Sequence, residues 1–98
     1  MAKKGYWVSA YRSVKDPDKV AAYAKIAGPA LAKYGAKYLV RDVAANAYEA
    51  GIKARIVIVE FESVEKAIAA HDGPEYQAAL KVFDYAAERD FRIVEGLE

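Results

Sequence analysis

With 98 residues, 15 Lys and Arg against 14 Asp and Glu, and no cysteine, the chain is one domain, residues 1–98, of formal charge +1, and its length leaves no room for a second. The near-neutral balance, with no basic run longer than Lys3-Lys4, removes the broad positive field that attracts nucleic acid or anionic membrane. The missing cysteines exclude disulfides, thiolate nucleophiles and Cys-ligated zinc.

The amino terminus, Met-Ala-Lys-Lys-Gly-Tyr-Trp, has no long apolar run, and no stretch approaches the length of a membrane span, so a soluble cytoplasmic protein is expected. Gly5 to Arg12 reads as a first strand, with Tyr6, Val8 and Ala10 on one side and Trp7, Ser9 and Tyr11 on the other. Asp16-Pro17-Asp18 is a helix start: Asp16 caps, Pro17 lacks only an N–H that would be unsatisfied there, and Asp18 complements the helix dipole. The helix is expected to run to about Tyr34, burying a stripe through Val20, Tyr23, Ala27 and Leu31, with a kink at Gly28-Pro29 and an end at Gly35.

Ala36 to Asp42 is the second predicted strand, with Tyr38 and Val40 on one side and Leu39 and Arg41 on the other. Val43 to Ile52 reads as a long hairpin connection rather than a helix, because it lies between strands and carries Asn46 and Gly51. Ile56-Val57-Ile58-Val59 does not alternate, so both sides of that third strand are expected to meet apolar surroundings. One side can be covered by this chain's own helices; the other calls for a partner.

Ser63 is placed to cap a helix from Val64 to His71, and Pro74-Glu75 starts another in which Tyr76, Leu80 and Phe83 share a face. A loop from Tyr85 to Arg89 and a last strand from Asp90 to Val94 complete the order. The fold class is α+β: a β-α-β-β-α-β antiparallel sheet with its second helical region broken in two.

Two resemblances follow. The end of the third strand and the start of the next helix, Val59-Glu60-Phe61-Glu62-Ser63-Val64, resemble an RNA-recognition motif. Ile56 and Ile58 stand where that motif places its base-stacking aromatics, so no nucleic-acid partner is expected.

The second resemblance spans nearly the whole chain. Gly28-Pro29-Ala30-Leu31-Ala32-Lys33-Tyr34-Gly35, Tyr38-Leu39-Val40-Arg41, Ile58-Val59-Glu60-Phe61, Pro74-Glu75-Tyr76-Gln77 and Ile93-Val94-Glu95-Gly96 resemble, in that order, the uncharacterised family numbered 1330 among domains of unknown function (DUF1330). The resemblance implies a ferredoxin-like fold of the dimeric α+β barrel group, with helices on one face of the sheet and a second protomer's sheet on the other.

Candidate chemistry is sparse. His71, the one histidine, lies near a helix end where the dipole favours its cation, and is the weak candidate for a proton carrier. Arg41 can hold a carboxylate bidentately, and Glu60, within a strand, marks a polar pocket or an interface ion pair. Of the eight tyrosines, Tyr11, Tyr38 and Tyr76 are placed to line a cavity with an apolar body and a polar tip. No metal-ligand spacing, phosphate loop or nucleophile elbow is present, and no cofactor is expected.

The leading expectation is a homodimer, joined through the sheet face, that binds a small molecule between sheet and helices. The alternatives are a cofactor-free enzyme of monooxygenase or isomerase type using His71, by analogy with the barrel group, and an RNA-binding ferredoxin-like module.

Overall fold

The computed structural model describes residues 3–97. The elements are β1 (Gly5–Val14), α1 (Pro17–Ala32), β2 (Lys37–Val43), β3 (Arg55–Phe61), α2 (Val64–Asp72), α3 (Pro74–Phe83) and β4 (Ala87–Glu95). The four strands form one sheet in the order β2-β3-β1-β4, with every neighbouring pair antiparallel.

Local chemistry sets the helix starts. Asp16 accepts the Lys19 N–H at 3.2 Å ahead of Pro17, and the Ser63 hydroxyl accepts the Lys66 N–H at 3.1 Å. α1 is one element across Gly28-Pro29 and ends at Ala32, two residues before the expected Tyr34; Gly35, at φ 74, then turns the chain into β2. The connection from 44 to 54 carries no helix, and the Ala44 N–H donates to the Ala54 carbonyl at 2.9 Å to extend the hairpin.

The chain measures 39 × 33 × 15 Å, the thickness of one helical layer on one sheet. Between the layers Trp7 is central: its ring lies 5.3 Å from Phe61, 4.9 Å from Tyr76 and 5.0 Å from Phe91, centroid to centroid. Its indole N–H donates to the Ala67 carbonyl of α2 at 2.9 Å, so burying the ring leaves no donor unpaired. Leu31, Val59, Ala67 and Ala79 fill the space around it.

The other face of the sheet has no helix. Tyr6, Val8 and Ala10 of β1 pair with Glu60, Ile58 and Ile56 of β3 and turn outward with them, while Val40 and Val94 on the flanking strands remain 41% and 43% exposed. This open face is apolar at its centre. Its polar groups sit toward the edges, where the Tyr6 hydroxyl donates to Glu60 at 3.2 Å and Arg92 pairs with Asp90 at 2.9 Å.

Two sequence expectations are corrected. A bulge at Leu39 shifts the register of β2, so that Tyr38 pairs with Val59 and Val40 with Ile58. The extra residue turns Tyr38 and Arg41 to the same, helix-side face instead of opposite ones. β4 also begins at Ala87, three residues earlier than expected, because the Ala86 carbonyl receives the Lys15 and Asp16 N–H groups and so ties the incoming chain beside β1. Arg89 therefore lies within a strand.

Among the described residues no helix is long and apolar enough to cross a membrane. Gly5 marks the tightest approach of β1 to the start of α2: a Cβ there would stand 2.5 Å from the Ser63 carbonyl oxygen, which is backbone and cannot swing aside. Gly5→Ala is expected to destabilise the fold by about 1–3 kcal/mol, the usual cost of overpacking, as read by urea denaturation.

Candidate functional site

α1 packs chiefly along α3, whereas α2 lies over β1, β3 and β4. Under α1, above β3 and β1, a cavity of about 80 Å³ remains. Its floor is Val57 and Val59 of β3 with Trp7 and Ser9 of β1. Its roof is the small-residue side of α1, where Ala24 and Ala27 lie between Val20 and Leu31. Tyr11, Tyr23 and Phe91 wall one side, and Tyr38, Arg41, Arg55 and Arg89 surround the opening.

Strand register explains this convergence. Arg41 pairs with Val57, Val57 with Ser9, and Ser9 with Phe91, so one rung across all four strands points these side chains at the helices. Along the next rung Val43 pairs with Arg55 and Tyr11 with Arg89. At about 4.8 Å between strands, Arg41 and Ser9 are separated at the backbone by about 10 Å, within the combined reach of a long side chain and a small ligand.

Ser9 is the anomaly in the floor. It is 3% exposed, and its hydroxyl has no hydrogen-bond partner among the described residues. A buried hydroxyl left unpaired costs stability. It stands in a wall otherwise made of aliphatic and aromatic carbon.

Arg89 is held over aromatic surface. Its guanidinium carbon is 4.3 Å from the Phe83 ring centroid and 5.2 Å from that of Tyr23, and its Nη1 donates to the Tyr23 hydroxyl at 3.2 Å. Burial alone would lower its pKa; the Tyr23 and Tyr76 phenols more than offset this, so it stays cationic. Tyr23 and Tyr76 share a 2.7 Å hydroxyl contact. Burial first, and then the Tyr76 phenol, push Tyr23 well above its ordinary value of 10.0. Burial likewise raises Tyr38, whose ring lies 4.9 Å from the Arg41 guanidinium.

The sequence-derived candidates divide. Arg41, Tyr38 and Tyr11 line the cavity. Tyr76, 1% exposed, lies behind the lining, against Trp7 and Tyr23. Glu60 is on the open face with Tyr6. His71 lies outside the lining, beside Trp7 at 6.0 Å between ring centroids, with Nδ1 3.0 Å from the Asp72 carboxylate. Arg89, Arg55, Tyr23 and Ser9 were not singled out in the sequence. Arg89 was assigned to a loop; the alternation Ala87, Arg89, Phe91, Ile93 was the signal for a longer strand. Among the described residues no group of three or more His, Asp or Glu stands together as a metal site.

The sequence pattern of the family described as "Domain of unknown function (DUF1330)" matches residues 4–97. The chain belongs to that family. None of the curated proteins matches it. Among solved structures this DUF1330 protein is similar to a protein of unknown function from Rhodopseudomonas palustris, with TM-score 0.73 and 18% identity, covering 100% of this chain and 85% of that one. It is also similar to SnoaB, a cofactor-independent oxygenase from Streptomyces nogalater, with TM-score 0.66 and 8% identity over 99% and 96% of the two chains. A dimeric ferredoxin-like protein of unknown function from Thermobifida fusca gives TM-score 0.65 and 15% identity over 97% and 92%. At these identities the likeness establishes the fold alone: a ferredoxin-like α+β domain.

Two predictions follow from the cavity's chemistry. Ser9→Ala removes an unpaired hydroxyl while keeping the small side chain, so it should leave stability unchanged or raise it by up to about 1 kcal/mol, read as a Tm higher by up to several degrees. The fold favours the neutral Tyr23 phenol, and the unfolded chain ionises it near 10.0, so this stabilisation is complete below that pH and is lost as pH rises above it. Tyr23→Phe should flatten the alkaline decline of stability by about 1.4 kcal/mol per pH unit, measured by denaturation at a series of pH values.

Proposed function

We propose that this DUF1330 protein is a homodimer that binds a small molecule in the cavity between α1 and the sheet. The observation that carries the reading is the buried, unpartnered Ser9 hydroxyl in the floor of an apolar, aromatic-walled recess, the combination of shape and one or two placed polar groups that ligand sites use. Arg41 and Tyr38, turned together by the bulge, are the ligand contacts at the opening.

The dimer rests on the open face. An apolar sheet surface on so small a domain is an aggregation liability unless it is covered, and a second copy covers it with the same residues. Proteins of the same fold from Thermobifida fusca and Bacteroides fragilis are described as dimeric.

A catalytic role of the SnoaB kind has less support. Acid–base chemistry needs a proton carrier within hydrogen-bond reach of the substrate, and among the described residues no histidine, aspartate or glutamate lines this cavity. His71 lines a second, wider recess with Gln77, Tyr85, Arg89 and Phe91, and is the candidate base only for a substrate bound there.

Light scattering behind size exclusion at micromolar concentration should give a dimer whose mass does not depend on salt, and Ile58→Lys, which places a charge in the middle of the open face, should give monomer or insoluble protein. A monomeric parent chain would remove the dimer from this reading. Native mass spectrometry of freshly purified protein tests the cavity, with a retained small molecule expected and lost on mild denaturation.

A further inference from the structure

We infer that the ligand of this cavity is a small aromatic carboxylate, its ring against Val57 and Ser9 and its anionic end among Arg41, Arg55 and Arg89. The inference deepens the cavity-binding reading above and depends on it.

Charge bookkeeping within the chain carries the argument. The chain has five arginines. Two are matched by carboxylates: Arg12 reaches Glu88 at 3.6 Å, and Arg92 grips Asp90 through both Nε and Nη2 at 2.9 and 3.1 Å. The other three all line one cavity, whose lining contains no aspartate or glutamate, and none of the three has a carboxylate at ion-pair distance among the described residues. A domain with almost equal numbers of acids and bases has thus placed its three arginines without a carboxylate partner along one cavity.

Register makes the clustering costly in the empty protein. Arg41 pairs with Val57, two residues from Arg55 on the same face of β3, so the two arginines are diagonal neighbours on the sheet. Like charges at that spacing repel, and an anion between them reverses the sign of the interaction. Arg89 approaches from β4 on the other side of the cavity, held by the rings of Phe83 and Tyr23 with most of its N–H donors uncommitted. Guanidinium pairs with planar oxyanions through two parallel hydrogen bonds, which favours carboxylate.

The rest of the cavity selects what the carboxylate is attached to. Val57, Phe91 and Tyr11 offer carbon surface, which would leave the oxygens of a tetrahedral inorganic anion unpaired. The cavity, about 80 Å³ and open on one side, takes a ring only with part of it and the charged group projecting through the opening.

The test is titration of the intact protein with 4-hydroxybenzoate, its neutral amide 4-hydroxybenzamide, and inorganic phosphate, read by fluorescence of the single tryptophan, Trp7, which lines the cavity. Benzoate-class binding is expected to exceed that of the amide by about tenfold or more and to weaken with salt. The double variant Arg41→Gln with Arg55→Gln, at exposed positions outside the core, should lose that advantage while still binding the amide. Equal affinity for acid and amide would overturn the anion assignment and leave the cavity reading intact. Phosphate binding as tightly as the acid would overturn the aromatic part. No response to either aromatic probe would overturn both the inference and the cavity reading, and acid binding unchanged in the double variant would show that the anion is held elsewhere.

Discussion

The antiparallel register of β1 with β3 and β4 sorts the chain into two surfaces, and each later feature depends on that sorting. Because side chains alternate along a strand, pairing Trp7 with Val59 and with Ile93 commits Trp7, Ser9 and Tyr11 to the helices, and Tyr6, Val8 and Ala10 to the opposite face. A slip of one residue would put Trp7 in solvent and Tyr6 in the core. The indole bond to the Ala67 carbonyl helps to lock the choice, since it forms only when β1 presents Trp7 beneath α2. Core, cavity and open face are therefore consequences of one pairing pattern.

The cavity exists because neighbouring positions on that surface differ in size. Toward α2 and α3 the sheet offers Trp7 and Phe61, which the Tyr76 and Phe83 side fills. Toward α1 it offers Ser9 and Val57 beneath Ala24 and Ala27, and no side chain there is long enough to close the gap. The open space and the unpaired Ser9 hydroxyl are both departures from the packing of highest stability. Such departures concentrate where a protein uses its surface for something other than holding itself together.

Much of this was legible in the sequence. Period-two alternation in β1, the non-alternating Ile56 to Val59 run, and the caps at Asp16 and Ser63 each have a local physical cause, and the elements they predict are present. The candidate site was less legible for equally physical reasons. The Leu39 bulge depends on how β2 meets β3, a long-range fact, so the side on which Tyr38 faces could not be read from alternation alone. The start of β4 depends on hydrogen bonds to residues 15 and 16, far away in sequence, and without it Arg89 looked like a loop residue. Ser9 is ordinary in a strand; only the absence of a partner in three dimensions distinguishes it. Glu60 illustrates the converse: its place in a strand was clear, but the face it occupies separates it from the cavity.

β3 carries both surfaces at once. Val57 and Val59 floor the cavity, and the residues between and beside them, Ile56 and Ile58, form the centre of the open face. Successive residues are about 3.3 Å apart along a strand, so whatever covers the open face holds in place the backbone on which the cavity floor stands. β2 strengthens the link. Every residue of it is exposed, and its position is set by pairing with β3 alone, yet it brings Tyr38 and Arg41 to the opening. An edge strand with so little burial is the part of the sheet most free to fray, and covering Val40 and Ile58 on the open face would steady it. In the proposed dimer the partner's sheet would thus act on the ligand site without contributing a residue to it, by fixing the strand that carries Tyr38 and Arg41.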